Sequence, residues 1–191
     1  VLNASTGAYT YTLNNTATAV QALGASSSET ESFSVQVTDL SNTPAAQNLS
    51  FTIQGANDAP SSVVLSSTSI VENSAGASVG ALSSSDAESD TVSYSVAAGD
   101  DGVSFEIDSS NNLKLKSSVT ADRETKSTYT VTVDATDSTA TTSKIFTISV
   151  DDVNEAPTLT VPTGGSVTED ASTSTITGTL TGSDPENDSL T

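Results

Sequence analysis

The stretch TYTVTVDATDSTATTSKIFTISVDDVNEAP, residues 128–157, contains the pattern that decides the fold. Tyr129, Val131 and Val133 alternate with threonine, and the alternation resumes at Ile148 after a short polar segment. Alternation with a period of two, in β-branched and aromatic residues, predicts strands that bury one face. Threonine and serine occupy the outward positions, as expected on the solvated face of an antiparallel sheet. We therefore predict two neighbouring strands followed by an acidic segment that ends in proline.

The same alternation recurs along most of the chain. It occurs at Tyr9-Tyr11-Leu13, Phe33-Val35-Val37, Leu49-Phe51-Ile53, Val92-Tyr94-Val96, Phe105-Ile107 and Leu113-Leu115. The polar segment 108–112 between two of these strands is typical of a hairpin turn. Long stretches with helical spacing are missing. The sequence thus predicts an all-β protein made of Ig-like antiparallel β-sandwiches.

Acidic motifs repeat at a spacing of about 100 residues, the size of one sandwich domain. Asn57-Asp58-Ala59-Pro60 recurs as Asn154-Glu155-Ala156-Pro157, and Asp86-Ala87-Glu88-Ser89-Asp90 recurs as Asp184-Pro185-Glu186-Asn187-Asp188. Glu72 recurs as Glu169. Proline lacks a backbone donor and restricts its neighbour, so both Ala-Pro steps suit stiff junctions. We expect a complete domain at residues 60–157, the C-terminal part of another at 1–59, and the N-terminal part of a third at 158–191.

The composition restricts the chemistry of these junctions. The chain has 24 acidic residues against 5 basic ones, a net charge of −19, and contains no Cys, His, Met or Trp. With thiol and imidazole ligands excluded, only oxygen ligands remain in quantity, and these suit hard cations such as Ca²⁺. The negative charge argues against nucleic acid and anionic membrane surfaces as partners. No apolar run is long enough to span a membrane, so we expect no direct membrane insertion.

Five motifs in the middle of the chain resemble those of a cadherin repeat. They are Glu72, Asp86-Ala87-Glu88, Asp122-Arg123-Glu124, Ala135-Thr136-Asp137 and the linker Asp152-Val153-Asn154-Glu155-Ala156-Pro157. The sequence departs from the family pattern at Glu88 and Glu155, where Asp is usual, and the linker lacks its second Asn. The resemblance implies tandem cadherin-like sandwiches that bind calcium at their junctions.

The flanking segments resemble VCBS-type repeats of large bacterial adhesins. The first carries Gly7-Ala-Tyr-Thr-Tyr-Thr-Leu13, Val20-Gln-Ala-Leu23 and Gly55-Ala-Asn-Asp-Ala-Pro60; the third carries Val167-Thr-Glu-Asp170 and Gly182-Ser-Asp184. Such repeats imply a secreted or cell-surface repetitive protein from a bacterium. The expected partners are neighbouring repeats of the same chain and copies of the protein itself.

The two junctions have different sets of candidate ligands. For the downstream junction we assign Glu72, Asp122, Glu124, Asp152, Asn154, Glu155, Asp184 and Glu186; for the upstream junction we assign Asn57, Asp58, Asp86, Glu88 and Asp137. Gly55 occupies the position of the first linker acid, so we expect fewer ions upstream. We interpret Glu29, Glu31, Asp100 and Asp101 as solvated charges outside both sites.

These observations favour a calcium-stiffened extender of a bacterial adhesin. The alternatives are a subunit of an extracellular filament or surface layer, a module that binds itself or a glycan directly, and an accessory module of a secreted hydrolase. Carboxylate pairs also occur in glycoside hydrolases. Because the chain has no Trp to form a sugar platform, we expect no enzymatic activity.

Overall fold

The computed structural model describes residues 1–39, 44–162, 164–166, 169 and 175–191. Its first unit contains helix α1 (Thr18–Gln21) and strands β1 (Ser28–Thr38) and β2 (Pro44–Gln54). The two strands form an antiparallel hairpin in which Phe33 lies opposite Leu49. The alternating spacing of apolar residues in this hairpin places them on one face, as the sequence pattern predicts. No helix within the described ranges has the length and apolar character needed to span a membrane.

The middle unit is a sandwich of two four-stranded sheets. Its strands are β3 (Ser61–Leu65), β4 (Ser69–Val71), β5 (Ser78–Ser85), β6 (Ser93–Val96), β7 (Phe105–Ile107), β8 (Asn112–Leu115), β9 (Thr128–Thr136) and β10 (Thr141–Asp151), with a 3₁₀ helix at Gly102–Ser104. One sheet has the order β4-β10-β9-β6 and the other β3-β5-β8-β7. In the third unit, β11 (Thr158–Thr160) pairs with β12 (Thr181–Ser183).

The core of the middle unit lies between the facing sheets. Leu113 and Leu115 of β8 are fully buried, and so are Val131 and Val133 of β9 and Ile148 of β10. Burial of each such side chain contributes roughly 1.5–3 kcal/mol to the free energy of unfolding. The predicted alternation of buried and exposed positions is therefore confirmed for these strands.

One strand pair departs from the antiparallel pattern. Strand β4 pairs in parallel with the end of β10, with Val71 opposite Asp151. The other strand pairs in the described part of the chain are antiparallel, as predicted. Because parallel strands end at the same edge of a sheet, the residues that follow β4 and β10 lie next to each other at that edge.

The predicted strand at Tyr9-Tyr11-Leu13 is wrong. Only Tyr9 forms a β-bridge, with Leu2, and residues 10–14 lie outside the strands. The aromatic rings pack instead: Tyr11 stacks on Phe51 of β2 with ring centroids 4.3 Å apart. A β-strand needs an extended neighbouring segment whose backbone N–H and C=O groups form hydrogen bonds with its own. Stacking of aromatic rings does not provide such a segment.

The hairpin turn predicted between β7 and β8 is confirmed. The carboxylate of Asp108 accepts hydrogen bonds from the backbone N–H groups of Ser110 and Asn112, each at 2.9 Å. Asn111 adopts a left-handed conformation with φ of 62°, which asparagine tolerates better than most residues. Local side-chain chemistry therefore determines this turn.

Candidate metal centres at the two junctions

The parallel pairing of β4 and β10 builds the downstream site. Glu72 directly follows β4, and Asp152 follows the paired end of β10. The turn that contains Glu124 precedes β9, whose first residue Thr128 lies opposite Ser149 of β10. Three separate chain segments thus bring acidic side chains to one end of the middle sandwich.

Glu72 is a buried carboxylate that ties these segments together. Its side chain is almost completely inaccessible, with a relative exposure of 1%. One carboxylate oxygen accepts a hydrogen bond from the backbone N–H of Arg123 at 2.6 Å, and the other accepts one from Val153 at 2.7 Å. Such charge-assisted bonds are short and strong, so Glu72 holds the Asp122–Glu124 loop against the linker.

Glu124 belongs to two groups of carboxylates. It lies with Glu72 and Asp152 in one group and with Glu155 and Glu186 in the other; within each group one oxygen from every residue lies within 4.8 Å of the others. A backbone hydrogen bond lowers the pKa of Glu124, but loss of surrounding water and the charges of Glu72, Asp152 and Glu186 outweigh it and raise the pKa. The negative charges around Glu124 therefore disfavour its charged form.

A contact between Glu155 and Glu186 joins the linker to the third unit. The backbone N–H of Glu155 donates to Glu186 Oε1 at 3.0 Å, and Asn73 Nδ2 donates to Glu155 Oε1. The side-chain hydrogen bond with Glu186, together with burial, raises the pKa of Glu155 to about 7. The same hydrogen bond lowers the pKa of Glu186. Two carboxylates are thus held in a contact that disfavours both being charged.

The remaining oxygen of each of these two residues has no partner. Glu155 Oε2 and Glu186 Oε2 are both buried, and no N–H or hydroxyl group donates a hydrogen bond to either. Burying an unpartnered carboxylate oxygen is costly, whereas a cation would satisfy both atoms. Ca²⁺ takes about six to eight oxygen ligands in flexible geometry, and the donor set here consists of oxygens from several segments. The residues present therefore fit a calcium ion.

Two predicted ligands shape the loops and lie outside these carboxylate groups. Asp122 accepts hydrogen bonds from the backbone N–H and the hydroxyl of Thr125, at 2.8 and 2.9 Å. Asp184 Oδ1 accepts one from the backbone N–H of Asp188 at 3.0 Å. These bonds fix the turns that present Glu124 and Glu186.

Two further predicted ligands, in the linker, also contact protein groups. Asp152 Oδ2 forms an ion pair with Arg123 Nη1 at 3.0 Å. Asn154 Nδ2 donates to the backbone oxygen of Glu155 at 2.9 Å. Arg123 therefore supplies the one positive side chain in direct contact with this linker in the described part of the chain.

The upstream junction repeats part of this geometry. The backbone N–H of Asp58 donates to Glu88 Oε1 at 3.3 Å, as that of Glu155 does to Glu186. Here too, two carboxylate oxygens, Asp86 Oδ2 and Glu88 Oε2, are buried without a partner. The structure therefore brings the backbone of Asp58 and the side chains of Asp86 and Glu88 together at this junction.

Asn57 and Asp137 join the upstream linker to the sandwich. Asn57 Nδ2 donates to Asp137 Oδ2 at 3.0 Å, while the backbone N–H groups of Thr139 and Ala140 donate to Asp137 Oδ1, each at 2.8 Å. The hydrogen bond from Asn57 and those from the backbone hold the pKa of Asp137 far below its usual range. Asp137 is therefore ionised and already satisfied by protein donors.

Packing explains why the upstream linker lacks its first acid. A Cβ at Gly55 would lie 2.3 Å from the backbone oxygens of both Leu23 and Gly24. Real Cβ atoms do not approach other atoms so closely. An acidic side chain therefore cannot replace Gly55 unless the loop that follows helix α1, which contains Leu23 and Gly24 and is called the α1 loop below, moves away. In the described part of the chain, both groups of three carboxylates lie at the downstream junction.

Sequence reasoning missed Asn73 and misjudged two acids. Asn73, at φ 62°, donates to Glu155. Asp101, expected to be solvated, accepts a hydrogen bond from the backbone N–H of Thr130 at 2.8 Å and forms an ion pair with Lys126. Glu31 accepts a hydrogen bond from the Tyr11 hydroxyl at 3.0 Å. Their partners are distant in sequence, so no local pattern marks these contacts.

Comparison with known proteins identifies the middle unit. Residues 66–151 match the family model of the cadherin domain. Two solved structures share the fold: human protocadherin-24 EC1-2, with 22% identity and a TM-score of 0.51, and the protocadherin GammaB4 extracellular domain, with 23% identity and a TM-score of 0.52. A search of the curated proteins found no match. The resemblance to a cadherin repeat is thus confirmed for this segment.

Coverage shows how far the likeness extends. The alignment covers 68% of this chain and 62% of the protocadherin-24 structure, and 82% of this chain and 26% of the GammaB4 structure. The chain thus spans less than two thirds of either structure. At these identities the comparisons show a cadherin-like β-sandwich fold.

Proposed function

We propose that this chain is a calcium-stiffened spacer segment of a cell-surface adhesin. One observation carries the proposal: Glu155 and Glu186 bury an unpartnered carboxylate oxygen each, where the linker meets the third unit. A cation bound there would contact both sides of the junction.

Five carboxylates would hold calcium at this junction: Glu72, Glu124, Asp152, Glu155 and Glu186. Asp122, Asn154 and Asp184 complete the proposed set by shaping the loops and the linker around them. Calcium would add positive charge beyond that of Arg123, which pairs with Asp152. Because it would bind the aligned units better than the bent or unfolded ones, it would stabilise the aligned state by linkage.

The upstream junction would bind calcium more weakly. Asp86 and Glu88 each offer one buried, unpartnered oxygen, and Asn57, Asp58 and Asp137 form the rest of the proposed site. Asp137 is already hydrogen bonded to protein donors, and Gly55 contributes no ligand.

The proposed setting is extracellular and bacterial. The cadherin domain at residues 66–151 and the VCBS-like motifs on both sides support an array of repeats, with domain boundaries near residues 60 and 157. Such an array would hold a distal binding module away from the cell and support adhesion without catalysis.

Thermal unfolding with and without calcium tests this function. Extracellular calcium modules bind with affinities on the order of 10⁻⁴–10⁻³ M, so millimolar calcium should raise the Tm of the chain. Magnesium at the same concentration is the control, since it demands octahedral geometry and dehydrates reluctantly. A Tm that is the same in excess chelator and in millimolar calcium contradicts the proposal.

A further inference from the structure

Arg123 is the only arginine of the chain, and its side chain lies beside the proposed ligands of the downstream junction. Its guanidinium Nη1 lies 3.0 Å from Asp152 Oδ2. Asp152 in turn offers an oxygen within 4.8 Å of one from Glu72 and one from Glu124. A positive side chain is therefore in contact with one of the three carboxylates that would hold calcium in this group.

The fold brings Arg123 and Asp152 together through Glu72. The two oxygens of the buried Glu72 carboxylate accept hydrogen bonds from the backbone N–H of Arg123, at 2.6 Å, and from that of Val153, at 2.7 Å. The loop that contains Arg123 and the linker that contains Asp152 are thus attached to the same side chain. Because the bond to Glu72 involves only the backbone of Arg123, it remains when the Arg123 side chain is changed.

The other ion pairs in the described part of the chain involve none of the proposed calcium ligands. Lys114 pairs with Glu106, and Lys126 pairs with Asp101. All basic residues of the chain lie between positions 114 and 144, so the segments on either side of the middle unit contain none. Arg123 is therefore the basic residue whose ion pair bears directly on calcium binding.

Solvent limits the strength of the pair between Arg123 and Asp152. Their side chains are 43% and 46% exposed, and ion pairs at such positions contribute little to stability. A calcium ion carries two charges and binds several carboxylates at once. Calcium would therefore displace the guanidinium, or share the carboxylate with it, at a modest cost in affinity.

We propose that Arg123 sets the calcium affinity of the downstream junction by competing with calcium for Asp152. This inference rests on the proposed function, since it concerns the same site. Without calcium, the guanidinium offsets part of the repulsion among the carboxylates. When calcium binds, the guanidinium repels the ion and gives up part of its contact with Asp152.

This competition determines the calcium concentration at which the junction becomes stiff. Arg123 stabilises the calcium-free junction and weakens calcium binding, and both effects raise that concentration. Extracellular calcium modules bind with affinities on the order of 10⁻⁴–10⁻³ M, and the charge of the ligand set tunes the affinity. The same carboxylates without a counter-charge would bind calcium more tightly, so Arg123 keeps the response of the junction in the millimolar range.

A purely structural role for the same ion pair predicts a change of the opposite sign. If Arg123 only held Asp152 in position for calcium, loss of the guanidinium would leave this ligand misplaced and would weaken calcium binding. The direction in which the calcium affinity changes therefore separates the two roles.

Calorimetric titration of the full, calcium-free chain with calcium chloride tests the competition. Arg123→Gln removes the charge, and Arg123→Lys keeps it. Lys114→Gln is the matched control, because it removes one positive charge from an ion pair with Glu106 in the same unit. We expect Arg123→Gln to bind calcium at the tighter site about three- to tenfold more tightly than wild type. Arg123→Lys should bind less tightly than Arg123→Gln, and Lys114→Gln should stay within about twofold of wild type.

Thermal unfolding in excess chelator measures the effect of Arg123 without calcium. Arg123→Gln should lower the Tm by about 2–4 °C, because the carboxylates lose their counter-charge. Its rise in Tm on addition of millimolar calcium should exceed that of wild type, since it binds the ion more tightly. Circular dichroism checks that each variant keeps the β-rich fold.

Salt separates an effect of charge from an effect of side-chain shape. The Debye length falls to about 3 Å in about 1 M salt. The difference in calcium affinity between wild type and Arg123→Gln should therefore shrink when the titration is repeated in sodium chloride at that concentration. A difference that persists unchanged would overturn the proposal, because the charge of Arg123 would then not be its cause.

The titrations also distinguish failure of this inference from failure of the proposed function. If wild type binds calcium and Arg123→Gln binds it equally well or more weakly, Arg123 does not compete for Asp152, and the proposed function stands. Arg123→Lys that binds as tightly as Arg123→Gln also overturns the competition. A wild type that binds no calcium overturns the proposed function, and this inference with it.

Discussion

At the scale of single residues, the downstream junction depends on carboxylates that are held close together. Glu72 is buried and bound to two backbone N–H groups, so it positions the loop of Glu124 before any metal binds. Glu124 contributes to both carboxylate groups. It is therefore the residue whose removal most directly tests the site.

Replacement of Glu124 by Ala should weaken calcium binding and leave the fold intact. The variant loses a charged ligand while the other carboxylates stay close together, and the core residues Val131, Val133 and Ile148 are not involved. We expect a normal β-rich circular dichroism spectrum and a calcium affinity, measured by calorimetry, lower by about tenfold, because the number of charged ligands tunes calcium affinity; tenfold corresponds to about 1.4 kcal/mol.

The control for this substitution is Glu29→Ala in strand β1. It removes the same charge from an exposed position in the first unit, far from the downstream cluster. Glu31 is unsuitable because it accepts a hydrogen bond from Tyr11. If Glu124→Ala and Glu29→Ala bind calcium equally well, Glu124 is not a ligand.

Asp101 should stabilise the middle unit in a pH-dependent way. Its hydrogen bond with Lys126, with a further one from the backbone of Thr130, lowers its pKa below the usual 3.8. A carboxyl group with a lowered pKa contributes stability above its unfolded-state pKa and loses it as the pH falls through the folded-state pKa. Asp101→Ala should therefore lower the free energy of unfolding by about 1–2 kcal/mol at neutral pH.

Urea unfolding at a series of pH values measures this effect. The difference between wild type and Asp101→Ala should shrink as the pH falls below 3.8. Glu106→Ala is the matched control, because it removes only a surface ion pair with Lys114, and such pairs contribute little. A difference that does not change with pH would show that the charge of Asp101 is not involved.

At the scale of elements, the contact between the α1 loop and the end of β2 explains why the upstream junction has glycine at the position where the downstream junction has an acidic residue. Gly55 follows β2 and packs against the backbone of Leu23 and Gly24. The equivalent position after β10 is Asp152, which takes part in the downstream group. Glycine is thus needed here for close backbone approach.

Gly55→Asp should therefore fail to create a better calcium site. The new side chain would collide with backbone atoms, so the α1 loop must move, and overpacking of this kind typically costs about 1–3 kcal/mol. We expect a lower Tm and no gain in the number of calcium ions per chain, measured by calorimetry. A gain of one ion with an unchanged Tm would contradict this explanation.

At the scale of the whole molecule, the two junctions should bind unequal numbers of ions and respond differently to calcium. Anomalous scattering from crystals grown in calcium should find more ions near Glu155 than near Asp58, because the groups of three carboxylates surround Glu155. Equal occupancy, or more ions near Asp58, would show that the carboxylate groups do not determine binding.

Small-angle scattering should show the mechanical effect of calcium. The maximum dimension of the chain should rise and its flexibility fall as calcium is added, since the proposed ion contacts both the linker and the third unit. The Glu124→Ala variant should need more calcium for the same change. A calcium-independent scattering curve would contradict stiffening.

The sequence by itself determined the strands of the middle sandwich, its hairpin turn at residues 108–112, and the oxygen-only chemistry of the junctions. These features follow from local rules: alternation of apolar residues, turn-forming side chains, and a composition without Cys or His. The order of the five acidic motifs also pointed correctly to a cadherin domain. Local patterns fail at Tyr9–Leu13, where a strand needs a neighbour that the pattern does not reveal.

Only the tertiary structure decided which of the acidic residues meet. The parallel pairing of β4 with β10 brings Glu72 beside the linker, and a turn from another segment adds Glu124. Backbone packing explains Gly55, and long-range hydrogen bonds give Asp101 its partners. Contacts between residues far apart in sequence depend on how the sheets pack and in which register the strands pair. The local order of residues does not specify either.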